Sequence, residues 1–171
     1  MARKDKDFLG LEVVSLEDAS VVGEVDALLV DDDKVAVVGL VIDLGVYEAK
    51  VLAFSDILSI GEDAVMIGAS NAVKPISQHA ALEAIAERDV QVSDTLAMTD
   101  RGNLVGIAGD YFVDAASGAI KGLEILPEEI EDGDSAEAYL VPIADVLRVS
   151  AELIMLKDGF DSRVVASADV L

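Results

Sequence analysis

Catalysis by proton relay or nucleophilic attack needs an imidazole, a thiol or paired carboxylates at workable spacing, and this chain is poor in all of them. It has one histidine, His79, and no cysteine. A triad would require a nucleophile and an orienting acid within reach of that imidazole. The nearest hydroxyl, Ser77, reads better as the N-cap of a helix, with His79 in its first turn. The absence of cysteine removes disulfides, thiolate nucleophiles and thiolate-held metals together.

Acidic residues are the other candidates. Asp31, Asp32 and Asp33 are consecutive. A calcium loop needs oxygen ligands at alternating positions, a glycine sixth and a glutamate twelfth. Here the sixth position is Ala36 and the chain re-enters an apolar run, so a polar hairpin turn is expected. Asp56 and Asp145 each follow a strand-like segment and precede a short apolar one, a pattern expected of turn-capping side chains. The densest acidic run is Glu128, Glu129, Glu131, Asp132 and Asp134. It reads as a docking loop for a basic partner, as a weak divalent-cation site or as a solvated loop, and it is the candidate partner-binding segment. Gly23, Gly39, Gly106 and Gly122 are spread through strand-like stretches and make no phosphate-cradling cluster.

The elements that must position these residues are written twice. Val22-Gly23, Val30-Asp31, Gly39-Leu40 and Ile42 recur 83 positions later as Val105-Gly106, Val113-Asp114, Gly122-Leu123 and Ile125. Asp56, Leu58 and Met66 recur 89 positions later as Asp145, Leu147 and Met155. A six-residue insertion between Pro127 and Ala138, PEEIEDGDSAEA, accounts for the change of offset. Fixed-offset self-similarity marks a duplicated structural unit.

Within the first copy the pattern is β. Leu11 to Leu16 is a short apolar run, and Val21 to Val30 alternates Glu24 and Asp26 with Val25 and Ala27, a period of two. Val35 to Ile42 has β-branched residues at five of eight positions, as expected for a strand buried on both faces. A third strand is expected over Tyr47 to Phe54, matched by Ala138 to Ile143, and short strands over Ile57 to Ile60 and Ala64 to Ile67. In the second copy Gly118 sits in the turn that Asp31 to Lys34 makes in the first, where it can adopt a positive φ. Between the copies, Gln78 to Arg88 reads as a helix with Ala81, Leu82, Ile85 and Ala86 on one face. The expected fold class is all-β: two small barrels over residues 8–70 and 92–158, a helical linker over 71–91 and a tail over 159–171.

Laid out this way, each copy resembles the PRC-barrel domain, the module shared by the cytoplasmic part of the photosynthetic reaction-centre H subunit and the C-terminal part of the RimM-type ribosome-maturation factor. The resemblance runs through Leu9-Gly10 with Glu12-Val13-Val14, Val22-Gly23-Glu24-Val25, Leu28-Leu29-Val30-Asp31 and Val37-Val38-Gly39-Leu40-Val41. It closes on Phe54-Ser55-Asp56-Ile57-Leu58-Ser59-Ile60 with Asp63-Ala64-Val65. The second copy adds Val141-Pro142-Ile143 ahead of Asp145-Val146-Leu147. The resemblance covers about three quarters of the chain. It implies β-barrels that dock onto other macromolecules, with no family-wide catalytic residues; separately, no cofactor and no metal are expected. The expected function is a non-catalytic protein-binding adaptor or scaffold. The alternative is an accessory factor in ribosome assembly that binds a basic ribosomal protein.

Charge restricts the partners. Asp and Glu total 34 against 12 Lys and Arg, a formal charge of -22, while 53% of the chain is hydrophobic. Nucleic acid and anionic lipid would be repelled. The basic residues are scattered, and only Arg3, Lys4 and Lys6 cluster, interrupted by Asp5 and Asp7. The partner expected is therefore a protein, basic in character, or a second copy of the chain, with no direct nucleic-acid contact. The longest apolar stretch, Val35 to Ile42, is far below the roughly 18 residues that span a bilayer. Met1 to Gly10 is charged without an apolar core, unlike a signal peptide. A cytoplasmic location without membrane insertion is expected. Such a charge also predicts self-repulsion that salt relieves: the thermal midpoint should rise between low and moderate NaCl, over which the screening length falls to about 10 Å at 0.1 M. A midpoint that is flat or falls with salt, followed by circular dichroism, would show the carboxylates to be compensated locally.

Overall fold

The computed structural model of the protein describes residues 2–127 and 138–160. The candidate acidic segment, Glu128 to Asp134, and the tail beyond Phe160 lie outside the described residues. What is described is predominantly β, with fifteen strands and one α-helix, and no helix in it is long and apolar enough to cross a membrane.

A short strand, β1 (Ala2–Lys4), opens the chain, and β2 (Glu12–Ser15), β3 (Val21–Glu24), β4 (Ala27–Asp31) and β5 (Ala36–Asp43) follow. Next come β6 (Lys50–Ala53), β7 (Ile57–Ile60), β8 (Ala64–Ile67) and the two-residue β9 (Lys74–Pro75). Helix α1 (Ala80–Glu87) leads to β10 (Leu96–Thr99), β11 (Leu104–Asp114), β12 (Ile120–Pro127), β13 (Tyr139–Pro142), β14 (Val146–Val149) and β15 (Ile154–Leu156). The first repeat makes two four-stranded sheets, β3-β2-β8-β7 and β4-β5-β6-β9. The second makes one sheet in the order β13-β12-β11-β10-β15-β14, to which β1 adds by pairing with β11. Among the described residues no sheet closes on itself through hydrogen bonds.

The repeats share registers, including their irregularities. Val13 pairs with Gly23 and in parallel with Val65; Ala97 pairs likewise with Gly106 and Ile154. Leu28-Leu40 and Leu29-Gly39 correspond to Tyr111-Leu123 and Phe112-Gly122, with the register slipping at the next residue in both ladders. Ile57-Ile67 and Ile60-Val65 correspond to Val146-Leu156 and Val149-Ile154.

Two expected strands differ in extent. The stretch Val21 to Val30 breaks at Val25 and Asp26. There the Val25 N–H donates to the Leu11 carbonyl at 2.9 Å and the Asp26 N–H to the Val41 carbonyl at 2.8 Å. The equivalent Ala108 N–H donates to the Thr95 carbonyl at 2.8 Å, yet β11 continues past it with a slip in register. The strand expected from Tyr47 begins only at Lys50, because the Asp43 carboxylate accepts the Gly45 N–H at 2.8 Å and turns the chain outward. Strand β5 is buried on both faces as expected. Leu40 and Ile42 enter the main core, and Val41 joins Val51, Ala53 and Leu82 in a second, smaller one. Leu82 and Ile85 are the buried residues of α1, whereas Ala81 is exposed. Gly39 makes room for this helix: a Cβ there would lie 2.9 Å from the Leu82 side chain.

The main core runs without interruption through both repeats, joining Val13, Val25 and Ile67 to Ala97, Leu123 and Ile154. The seam is reciprocal. The Val37 N–H donates to the Gly118 carbonyl at 2.8 Å, and the Ile120 N–H donates to the Val35 carbonyl at 3.2 Å. Ala36 bridges Ala119 between them. Val37 and Ile120, Val35 and Gly118, and Ala36 and Ala119 are each 83 positions apart, so the contact has local two-fold symmetry. Val35 and Gly118 both hold positive φ, at 49° and 78°. A Cβ on Gly118 would overlap the Val37 carbonyl oxygen and press on the Phe54 ring. Gly118→Ala is therefore expected to cost clearly more than Gly102→Ala. The latter has φ 84° with nothing within 4 Å of a Cβ and loses only the left-handed preference, about 1 kcal/mol. Urea unfolding of both variants checks this, and equal losses would show that the seam yields.

Candidate functional site

The acidic and basic side chains that come together are those of the N-terminus and the second repeat. Strand β1 pairs along β11, matching Lys4 to Phe112. The Lys4 ammonium reaches Asp110 at 3.1 Å and Glu124 at 2.7 Å, and lies 5.6 Å from the centre of the Phe112 ring. Lys6 meets Asp110 at 2.7 Å. Between them Asp5 turns inward, accepting the Tyr111 N–H at 3.0 Å and the Ser93 hydroxyl at 3.3 Å. Arg3 donates to the Gly61 carbonyl at 2.6 Å and so ties this segment back to the first repeat.

The titration behaviour follows from these contacts. The Glu124 hydrogen bond raises the Lys4 ammonium, against the effect of burial. Burial pushes the Asp5 carboxyl up, and the neighbouring Asp110 charge adds to this. Burial also works to raise Asp110, but the bonds from Lys6 and Lys4 outweigh it and hold that carboxyl low. Tyr111 is raised by burial and then by the Asp5 charge. Lys4 and Lys6 are matched by Asp110 and Glu124, the arrangement of a clasp that pins β1, while Asp5 is held by neutral donors alone. The only signal for it in the sequence is the alternation Lys4-Asp5-Lys6-Asp7 in an otherwise acidic chain.

The remaining sequence candidates take separate places. Asp31, Asp32 and Asp33 bring carboxylate oxygens within 4.8 Å of one another. Arg88, from the end of α1, sets one guanidinium nitrogen 3.6, 2.7 and 3.2 Å from them. That hydrogen bond holds the Asp32 carboxyl below its ordinary range. Asp31 also accepts the N–H groups of Asp33 and Lys34, at 3.0 and 3.3 Å, so it builds the hairpin turn. Its counterpart Asp114 makes the same turn with the Ala116 N–H at 2.8 Å.

Asp56 and Asp145 end equivalent 3₁₀ turns, closed by backbone bonds from Ile57 to Phe54 and from Val146 to Ile143. Among the described residues neither carboxylate accepts a hydrogen bond, so the expected side-chain cap is not made. His79 is not a first-turn residue but the N-cap itself: its Nδ1 accepts the Leu82 N–H at 3.3 Å. Ser77 cannot serve because it is held in the 3₁₀ turn Ile76–Gln78 that precedes the helix.

A groove of about 450 Å³ on the first repeat is lined by Gly23, Glu24, Asp26, Asp43, Lys50 and Ser70 among others. It contains no imidazole or thiol to act on a substrate.

No family model and no curated protein matches the chain.

The most exposed large apolar side chains of the first repeat stand on a loop tip. Between β5 and β6, Leu44 is 66%, Val46 93% and Tyr47 100% exposed. The corresponding connection of the second repeat, between β12 and β13, contains the acidic segment outside the described residues.

The clasp leads to a pH-dependent expectation. Because the Asp5 carboxyl is raised in the folded chain, folding takes up a proton there, and Asp5 costs stability as pH rises through that raised value. Asp5→Asn keeps an acceptor for the Tyr111 N–H and removes the charge. Its unfolding free energy in urea should exceed that of the unsubstituted chain at neutral pH, by less than about 1 kcal/mol for a partly exposed group. The gap should close as pH falls toward the unfolded carboxyl value of about 3.9. A gap that widens on acidification would contradict this.

Proposed function

We propose that the chain is a non-catalytic protein-binding adaptor built from two PRC-like barrels. The recurrence of strand order and register in both halves supports a duplicated barrel module. In this reading side chains complete each barrel where the hydrogen-bonded sheets stop. The observation that carries the functional part is the tip Leu44-Gly45-Val46-Tyr47. Its three large apolar side chains contribute nothing to either core and stand in water. Exposed tyrosine beside aliphatic groups is the composition of interface anchors, since a rigid ring buries much area at little entropic cost. A charge of -22 turns such a surface away from nucleic acid and toward proteins. The ion-paired clasp at Lys4, Lys6 and Asp110 serves stability in this reading, with no chemical step assigned to it.

The test is affinity capture with quantitative mass spectrometry, comparing the unsubstituted chain with Val46→Ser/Tyr47→Ser. Because the tip is exposed, the double variant should melt within about 1 kcal/mol of the unsubstituted chain. A discrete set of captured proteins should fall away. If ribosomal proteins dominate that set, the partner belongs to ribosome assembly; if every captured protein is retained, the tip is not a docking element.

A further inference from the structure

Superposed by register, the repeats differ in one row of side chains. In the second repeat Leu96 pairs with Ile107 and Ile107 with Leu126, so three side chains cross β10, β11 and β12 on one face. They are 46%, 41% and 46% exposed. The next row on that face continues apolar through Leu104, Met98 and Met155 and ends on the exposed Arg148, which pairs with Met155. In the first repeat the positions of Leu96 and Ile107 are held by the paired and exposed Glu12 and Glu24; Asp43 stands at the offset of Leu126, also exposed, but in the other sheet and not paired with Glu24. The second row stays apolar there too, as Met66, Val14 and Val21. The β-ladder therefore accommodates carboxylates at the paired positions of Leu96 and Ile107, so pairing these strands does not require apolar residues there. An apolar patch kept on a surface whose folding does not need it marks an interaction site.

We infer that this outer sheet face of the second repeat binds an amphipathic, lysine- or arginine-bearing segment of another protein. Burial of the Leu96-Ile107-Leu126 row gives the affinity, and the surrounding negative field gives the preference for basic flanks. The field selects between occupants. The chain carries 34 acidic residues against 12 basic ones, and Lys4, Lys6, Arg88 and Arg101 are already committed to carboxylates. A second copy would bring a further -22 to the same place and be repelled, whereas a cationic segment would be drawn in. Asp94, two residues before Leu96, is exposed, whereas Glu124, two residues before Leu126, is already paired with Lys4. The inference rests on the protein-binding reading but concerns a surface other than the Val46-Tyr47 tip. It is tested with purified components, so failure of one leaves the other standing.

The probe is a short synthetic peptide alternating leucine and lysine, titrated by fluorescence anisotropy against the full chain at low and moderate salt. Its leucine–glutamate counterpart serves as the control. The decisive variant, Leu96→Glu/Ile107→Glu/Leu126→Asp, gives the second repeat the side chains the first already carries, and circular dichroism verifies its fold. Ile107→Glu alone replaces it if the triple variant does not fold. A merely electrostatic association would tighten when three negative charges are added, whereas docking on the apolar row should weaken by about tenfold. The leucine–lysine peptide is expected to bind, to lose affinity with salt and to lose it on the triple variant, while Val46→Ser/Tyr47→Ser leaves it unchanged. Unchanged or tighter binding by the triple variant overturns the inference, as does equal binding of the leucine–glutamate peptide. Sedimentation showing a dimer that Ile107→Glu dissociates would assign the face to a second copy and overturn it as well.

Discussion

Two backbone hydrogen bonds, from Val37 to Gly118 and from Ile120 to Val35, hold the tips of equivalent hairpins against each other. Everything else in the molecule is arranged around that contact. A unit of about sixty residues buries too little surface to be comfortably stable alone. Here the hairpins meet so that the inner faces of both repeats enter one apolar core, running from Val13 and Ile67 to Leu123 and Ile154. The local two-fold relation demands a left-handed residue on each side. Gly118 supplies one without a side chain, and Val35 supplies the other while packing against the core.

The N-terminus reinforces the same junction. By adding β1 to a strand of the second repeat while Arg3 bonds Gly61 of the first, the chain ties its beginning to both halves. In a protein so rich in carboxylates, Lys4 and Lys6 are scarce cations placed where they neutralise Asp110 and Glu124. Arg88 does the same for Asp31, Asp32 and Asp33 at the far end of α1. Local compensation at two points lets the rest of the surface remain strongly negative without loosening the seam.

Duplication also leaves a record of what the fold needs. Val13 and Ala97, and Ile67 and Leu156, are apolar in both repeats and buried, whereas Leu58 and Leu147 are apolar in both and exposed. Positions that diverge, such as Glu24 and Ile107, are exposed. Comparison between copies thus sets positions that both repeats bury apart from exposed positions where they differ. The tip at Tyr47 and the row at Ile107 fall in the second group.

The strand content, the turn at Asp31 to Lys34, the linker helix and the correspondence of the two copies were legible in the sequence, because side-chain period and fixed offset are local properties. Glycine at position 118 likewise announced a left-handed turn. The extent of β6 was not legible: the Asp43-Gly45 turn lifts Tyr47 out of the ladder although its neighbours read as strand. The helix cap fell to His79 and not to Ser77, since that choice depends on the turn the preceding residues adopt. Nothing in the spacing of residues showed that β1 would join the second repeat, that Asp5 would bond Tyr111 or that Arg88 would sit over three aspartates. Those contacts link residues 55 to 112 positions apart, and they exist only because the shared core brings distant segments to one place. The sequence by itself determined which residues alternate and which repeat. Tertiary packing decided which of the exposed ones share a face, because a sheet aligns side chains from different strands that share no order along the chain.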